Sequence, residues 1–87
     1  MVHIVYSSHF LRSARELPMQ QKKKLAFLLE LLKDNPFDHK LHTKALSGEL
    51  SGLYSFRITR DWRVLFQFLL PGEIMLVDIG HRKEIYK

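Results

Sequence analysis

Eighty-seven residues make one domain with one modest core, and 46% hydrophobic with 26% charged residues is an ordinary globular balance. Fourteen Lys and Arg against nine Asp and Glu give a formal charge of +5 and a pI near 9.8, which favours a polyanionic partner: nucleic acid, an acidic protein or an anionic membrane. The absence of cysteine excludes disulfides and thiolate metal sites.

The N-terminal residues Met1-Val-His-Ile-Val-Tyr-Ser-Ser-His9 carry no basic n-region and no long apolar run, so they are not read as a signal peptide. The longest apolar run, Leu25 to Leu29, is far too short to span a bilayer, and a soluble cytoplasmic protein without a membrane partner is expected. Val2 to Tyr6 is β-branched and aromatic and predicts a short strand. Ser7-Ser8 supplies N-cap hydroxyls for a helix whose stripe is Phe10, Leu11, Ala14 and Leu17. Pro18 suits the first turn of a second helix, which stops at Asn35-Pro36 because a residue before proline resists the α region. Leu25, Leu28, Leu29 and Leu32 form its core stripe, with Phe27 and Leu31 on the opposite side. From Phe37 to Gly52 no period holds, which predicts a loop.

A hairpin follows, and its register can be argued. Tyr54, Phe56 and Ile58 alternate with polar residues, as do Val64, Phe66 and Phe68 with Arg63, Leu65 and Gln67. A two-residue turn at Arg60-Asp61 would scramble the faces. An odd loop centred on Asp61 pairs Ile58 with Val64 and Phe56 with Phe66, placing Arg57 and Arg63 together on the non-core face. Pro71-Gly72 makes the next turn. Glu73 to Ile79 is the last predicted strand, with Met75, Val77 and Ile79 towards the helices and Arg82 sharing the parity of Leu76 and Asp78. The expected fold is α+β, ordered β-α-α-β-β-β, with a two-helix hairpin on one face of an antiparallel sheet and a cationic opposite face. Residues 1–87 form a single domain in this reading.

Leu46-x-Gly48, Leu50-x-Gly52-x-Tyr54, Arg57, Asp61-Trp62-Arg63-Val-Leu-Phe66 and Gly80-His-Arg-x-x-x-Tyr86 together resemble the RelE/ParE superfamily, the toxins of type II toxin–antitoxin pairs. The resemblance spans nearly the whole chain. It implies a cognate antitoxin as partner. It also implies one of two activities: RelE-like and YafQ-like members cleave mRNA on the ribosome, whereas ParE-like members poison DNA gyrase. The mRNA branch is favoured here, with ribosome and mRNA as further partners and without metal or other cofactor. The alternatives are a gyrase inhibitor and a non-catalytic co-repressor acting with its antitoxin.

Cleavage by the 2′-hydroxyl requires removal of its proton, stabilisation of the pentavalent phosphorane and protonation of the 5′-oxygen. The arginine fork suits the phosphorane. The resemblance assigns Arg63 that role first, with Arg82 at a position where catalytic relatives carry arginine or histidine. Arg57 falls where they carry lysine, arginine or histidine. Lys44 stands where relatives place a glutamate or histidine base, and Asp61 matches an aspartate of the YafQ-like branch and is the alternative base. Tyr86 matches an aromatic expected to stack on an mRNA base. His81, Lys83 and Tyr54 complete the expected RNA contacts, although His81 has the parity of Ile79, which points it coreward, and Tyr54 and Trp62 suit packing better than stacking. His3, His9, His39 and His42 show no metal-ligand spacing.

Overall fold

The computed structural model describes residues 1–86. Strand β1 (His3–Tyr6) ends at Ser7, whose hydroxyl accepts from the Phe10 amide at 3.0 Å and so caps helix α1 (Ser8–Arg15). The same hydroxyl donates to the Val77 carbonyl at 3.0 Å, tying this helix start to the far end of the chain. Helix α1 buries Phe10, and Leu17 just beyond it, but Leu11 stays 45% exposed, so the apolar stripe is narrower than predicted. Pro18 is the N-cap of helix α2 (Met19–Asp34), and Asn35 ends it in an extended conformation before Pro36. Leu25, Leu28 and Leu32 are buried, as their spacing requires. Leu31 also packs against the core, while Phe27 is 53% exposed and lies outside it.

The region read as loop holds more structure than expected. It contains two single-turn 3-10 helices, His39–Leu41 and Gly48–Leu50, separated by the two-residue strand β2 (Lys44–Ala45). Gly48 and Gly52 have φ of +67° and +96°, which the second of these turns demands and a side chain would strain. Leu41 is fully buried and anchors the segment. Strands β3 (Tyr54–Arg57), β4 (Trp62–Phe68) and β5 (Glu73–His81) form the meander, and the helix α3 (Arg82–Ile85) follows directly.

The fold is α+β as expected, but the sheet has five strands in the order β1-β5-β4-β3-β2 and is mixed. β1 pairs parallel with β5, His3 opposite Glu73 and Tyr6 opposite Leu76, so the last strand is an interior one. The β3–β4 register also differs from expectation. Phe56 faces Val64, Tyr54 faces Phe66 and Arg57 faces Arg63 directly, which centres the turn on Arg60. The shift is two residues, so every side chain keeps its face.

Strand β5 departs further. Leu65 faces Asp78 while Phe66 faces Leu76, leaving Val77 as the extra residue of a β-bulge. Parity changes there, so Ile74 and Leu76 join Ile79 in the core, and Met75 and Val77 do not. The bulge is held by side chains: Ser7 donates to the Val77 carbonyl, and Asp78 Oδ1 accepts from the Ile79 amide at 2.7 Å and the Ser13 hydroxyl at 3.2 Å. Between helices and sheet lie Phe56, Ile58, Val64, Phe66, Ile74 and Leu76, all with at most 1% of their surface exposed.

Candidate functional site

On the other face of the sheet the alternating residues are Ser55 and Arg57 of β3, Arg63 and Leu65 of β4, and Gly80 and Asp78 of β5, the Asp78 carboxylate being engaged by Ser13 and His9 of α1. Arg57, Arg63 and Gly80 form one cross-strand row. Trp62 points its backbone towards β3, its carbonyl accepting from the Ile58 amide at 2.9 Å. The next pair, Arg57 and Arg63, is therefore of the non-hydrogen-bonded kind, in which Cα atoms approach to about 4.5 Å. Two guanidinium-bearing side chains thus leave the sheet as immediate neighbours. Like charges so placed oppose the fold rather than support it.

Arg57 is exposed, but Arg63 is half-buried, and its Nη1 is fully buried with no hydrogen-bond partner among the described residues. A buried charged donor without an acceptor is costly, and a ligand anion would relieve it. Gly80 beside it carries no side chain, and the buried Ile85 of α3 folds back over that gap, where a Cβ would lie 3.7 Å from Ile85 Cβ. Helix α3 thereby walls one side of the face. Its start is capped by His81, whose Nδ1 accepts from the Lys83 amide at 3.2 Å. Its end brings Tyr86 over the sheet, where the phenol donates to Ser55 Oγ at 3.2 Å.

Lys44 lies directly opposite Ser55 in β2 and is exposed. With Ala45, Leu46, Ser47, Leu50 and Tyr86 it lines a cleft of about 260 Å³. The short strand β2 is thus what brings Lys44 to the Tyr86 end of the face. At the other end, Asp61 and Arg82 face each other where β4 begins and β5 finishes. The Arg82 amide donates to the Asp61 carbonyl at 2.7 Å, and Arg82 Nε lies 3.4 Å from Asp61 Oδ1. Asp61 is two residues before Arg63 and Arg82 two after Gly80, which sets this pair beside the arginine row. Arg82 keeps the parity of Asp78 but, because of the bulge, not that of the buried Leu76.

Lys44, Arg57, Asp61, Arg63, Arg82 and Tyr86 thus stand in or beside the arginine row, with Asp61 their one carboxylate, and Lys83 follows Arg82 in α3. Two expected RNA contacts stand elsewhere. Tyr54 packs on the helix side, stacked on Phe66 at 5.7 Å and edge-on to Phe68 at 4.9 Å and Phe37 at 6.1 Å. Its parity with Phe56 dictates this, and the placement corrects its assignment to RNA. His81 stands edge-on to Trp62 at 5.7 Å, on the side where Trp62 meets the core, as its parity with Ile79 requires. It lines a cleft with His9, Ser13 and Asp78 that reaches Gly80 and Ile85, and no arginine lines that cleft.

Sequence reasoning missed Ser55, which is 3% exposed and anchors Tyr86. A serine between Tyr54 and Phe56 reads as the polar residue of an alternating strand, and only the return of α3 onto the sheet gives it a partner. Gly80 was read as part of a motif and not as the opening beneath Ile85.

The family model for the ParE toxin of the type II toxin–antitoxin system parDE matches residues 5–86. The chain belongs to this toxin family. It lies within the wider RelE/ParE superfamily, whose solved structures share its fold. Escherichia coli YafQ matches with a TM-score of 0.81 at 20% identity over 100% of both chains. The RelE–RelB complex of Pyrococcus horikoshii matches with a TM-score of 0.78 at 18% identity, over 95% of this chain and 97% of the other. A Staphylococcus aureus YoeB–YefM complex gives 0.75 at 19% identity, over 94% and 98%. No curated protein matches the sequence. Among the described residues no helix is long and apolar enough to cross a membrane.

Proposed function

We propose that this toxin-family chain cleaves mRNA on the ribosome, using the arginine face to hold and stabilise the scissile phosphate. The observation carrying the proposal is the Arg57–Arg63 pair, cross-strand neighbours of like charge with Arg63 Nη1 buried and unpartnered among the described residues. A phosphate oxygen between the two guanidinium groups would offset both costs at once. In this reading Arg63 stabilises the phosphorane, Arg57 and Arg82 bind the flanking phosphate charge, and Tyr86, held by Ser55, offers its ring to an mRNA base. Lys44 is the group nearest the Tyr86 end that could accept the 2′-hydroxyl proton. Lys83 adds backbone attraction at the rim.

Lysine and arginine are poor proton carriers at neutral pH, so much of the acceleration has to come from holding the 2′-hydroxyl in line with the phosphate. A rigid decoding centre supplies such alignment, and this is the reason for assigning ribosome dependence. The structural likeness to YafQ, RelE and YoeB supports this branch, and the RelE–RelB and YoeB–YefM complexes support an antitoxin as the protein partner.

A second reading rests on the family description, which names ParE: the same cationic face would then bind DNA gyrase without chemistry. In vitro translation with mapped mRNA ends, run beside a gyrase supercoiling assay, separates the two. The expected result is translation-dependent cleavage leaving 2′,3′-cyclic phosphate or 3′-phosphate ends. Intact mRNA with blocked supercoiling would overturn it.

A further inference from the structure

The turn between β3 and β4 carries an acidic side chain, Asp61, set against Arg82, and its position gives it a role different from proton transfer. We propose that Asp61 is a positioning residue that acts through Arg82, orienting its guanidinium towards the phosphate of the bound nucleic acid. The inference deepens the nuclease reading and rests on it for the identity of the ligand.

Asp61 and Arg82 are linked twice. The backbone bond at 2.7 Å continues the β4–β5 ladder by one more step, so it fixes where Arg82 leaves the sheet. The side-chain contact, Arg82 Nε to Asp61 Oδ1 at 3.4 Å, engages one edge of the guanidinium. Arginine presents five N–H donors in a rigid planar fork. With Nε beside a carboxylate, the two terminal nitrogens still present an end-on pair of donors suited to two phosphate oxygens. Without that contact Arg82 would be a long, exposed side chain at the first position of a four-residue helix, free among many rotamers. Arg63 needs no such partner, because burial restricts it.

The same contact argues against Asp61 as the general base. Its Oδ1 faces a guanidinium, a group that stays protonated throughout, and it adjoins the Arg82 end of the face rather than the Tyr86 end. The pair contributes little to stability, since its side chains are 42% and 51% exposed. Loss of Asp61 should therefore be read in activity and not in folding.

The test is a double-mutant cycle on the complete chain in reconstituted translation, with kcat and KM measured for mRNA cleavage. Asp61→Ala should lower kcat/KM about tenfold or more, and Asp61→Asn, whose amide oxygen can take the same place beside Nε, should recover most of it. In the Arg82→Ala background Asp61→Ala should add less than about a twofold loss. The shape of the pH–rate profile should be the same for Asp61→Asn as for the parent. An undiminished loss in the Arg82→Ala background would overturn the proposal, as would Asp61→Asn matching Asp61→Ala with the rising limb of the profile gone. A chain that cleaves no mRNA would defeat the nuclease reading alone. The pairing is then decided by nitrogen-15 NMR of the Arg82 Nε–H group. Its signal should be protected from solvent exchange in the parent and in Asp61→Asn and lose that protection in Asp61→Ala. A signal indifferent to both substitutions would overturn the proposal.

Discussion

The two faces of the sheet share one backbone and obey opposite rules. On the helix side Phe56, Val64 and Phe66 are completely buried and every contact favours the fold. On the other side Arg57 meets Arg63, and a buried guanidinium nitrogen lacks a partner among the described residues. Because side chains alternate, the apolar face fixes the register that aims the cationic one. The electrostatic penalty of the outer face can persist only because the inner face stabilises the sheet by more.

That contrast can be broken most forcefully from inside. Phe66→Ala should cost about 3–5 kcal/mol and, in a domain of this size, abolish cooperative unfolding or lower its midpoint drastically in denaturant titration. From outside, Arg63→Ala should leave the unfolding midpoint unchanged or raised while cleavage falls by roughly 10²–10³-fold, the cost of removing a donor to developing charge. A protein that unfolds when Arg63 is lost would erase the distinction between the faces. Ser7→Ala removes the cap of α1 and the donor to the bulge carbonyl together, and calorimetry should register a loss of about 1–2 kcal/mol with the arginine face intact. The smallest effect has the most telling sign. Arg57→Ala, relieving the like-charge pair, should stabilise by a few tenths to about 1 kcal/mol, a gain that shrinks as salt is added.

Much of this was legible in the chain order of residues, for reasons that differ by element. The ends of α1 and α2 follow from Ser7 and from Asn35-Pro36, local signals that tertiary contacts did not override. The face of Arg57 and Arg63 follows from strand parity, which survives a register error of two. The register itself was missed because the turn closes around Arg60, and neither Arg60 nor Asp61 imposes a turn type as glycine or proline would. Met75 and Val77 were placed wrongly because a bulge at Val77 depends on Ser7, seventy positions away along the chain. Strand β2 and helix α3 escaped because two and four residues are too few for a period to show. For the site, arginines announced themselves by type, whereas Ser55 acquires meaning only from the Tyr86 hydroxyl that reaches it.

The parallel pairing of β1 with β5 constrains the order in which this molecule can assemble. β5 is an interior strand, flanked by β1 and β4, yet it follows all four other strands in the chain. A nascent chain ending before Glu73 has β1, both helices α1 and α2 and the β3–β4 hairpin, but no strand to join β1 to the rest of the sheet. Closing a loop of about seventy residues is entropically costly and is repaid only once β5 docks on both neighbours together. Arg82 and Tyr86 follow β5, and Gly80 lies within it. The cationic face therefore depends on the docking of β5, and a chain that stops before Glu73 lacks Gly80, Arg82 and Tyr86 altogether.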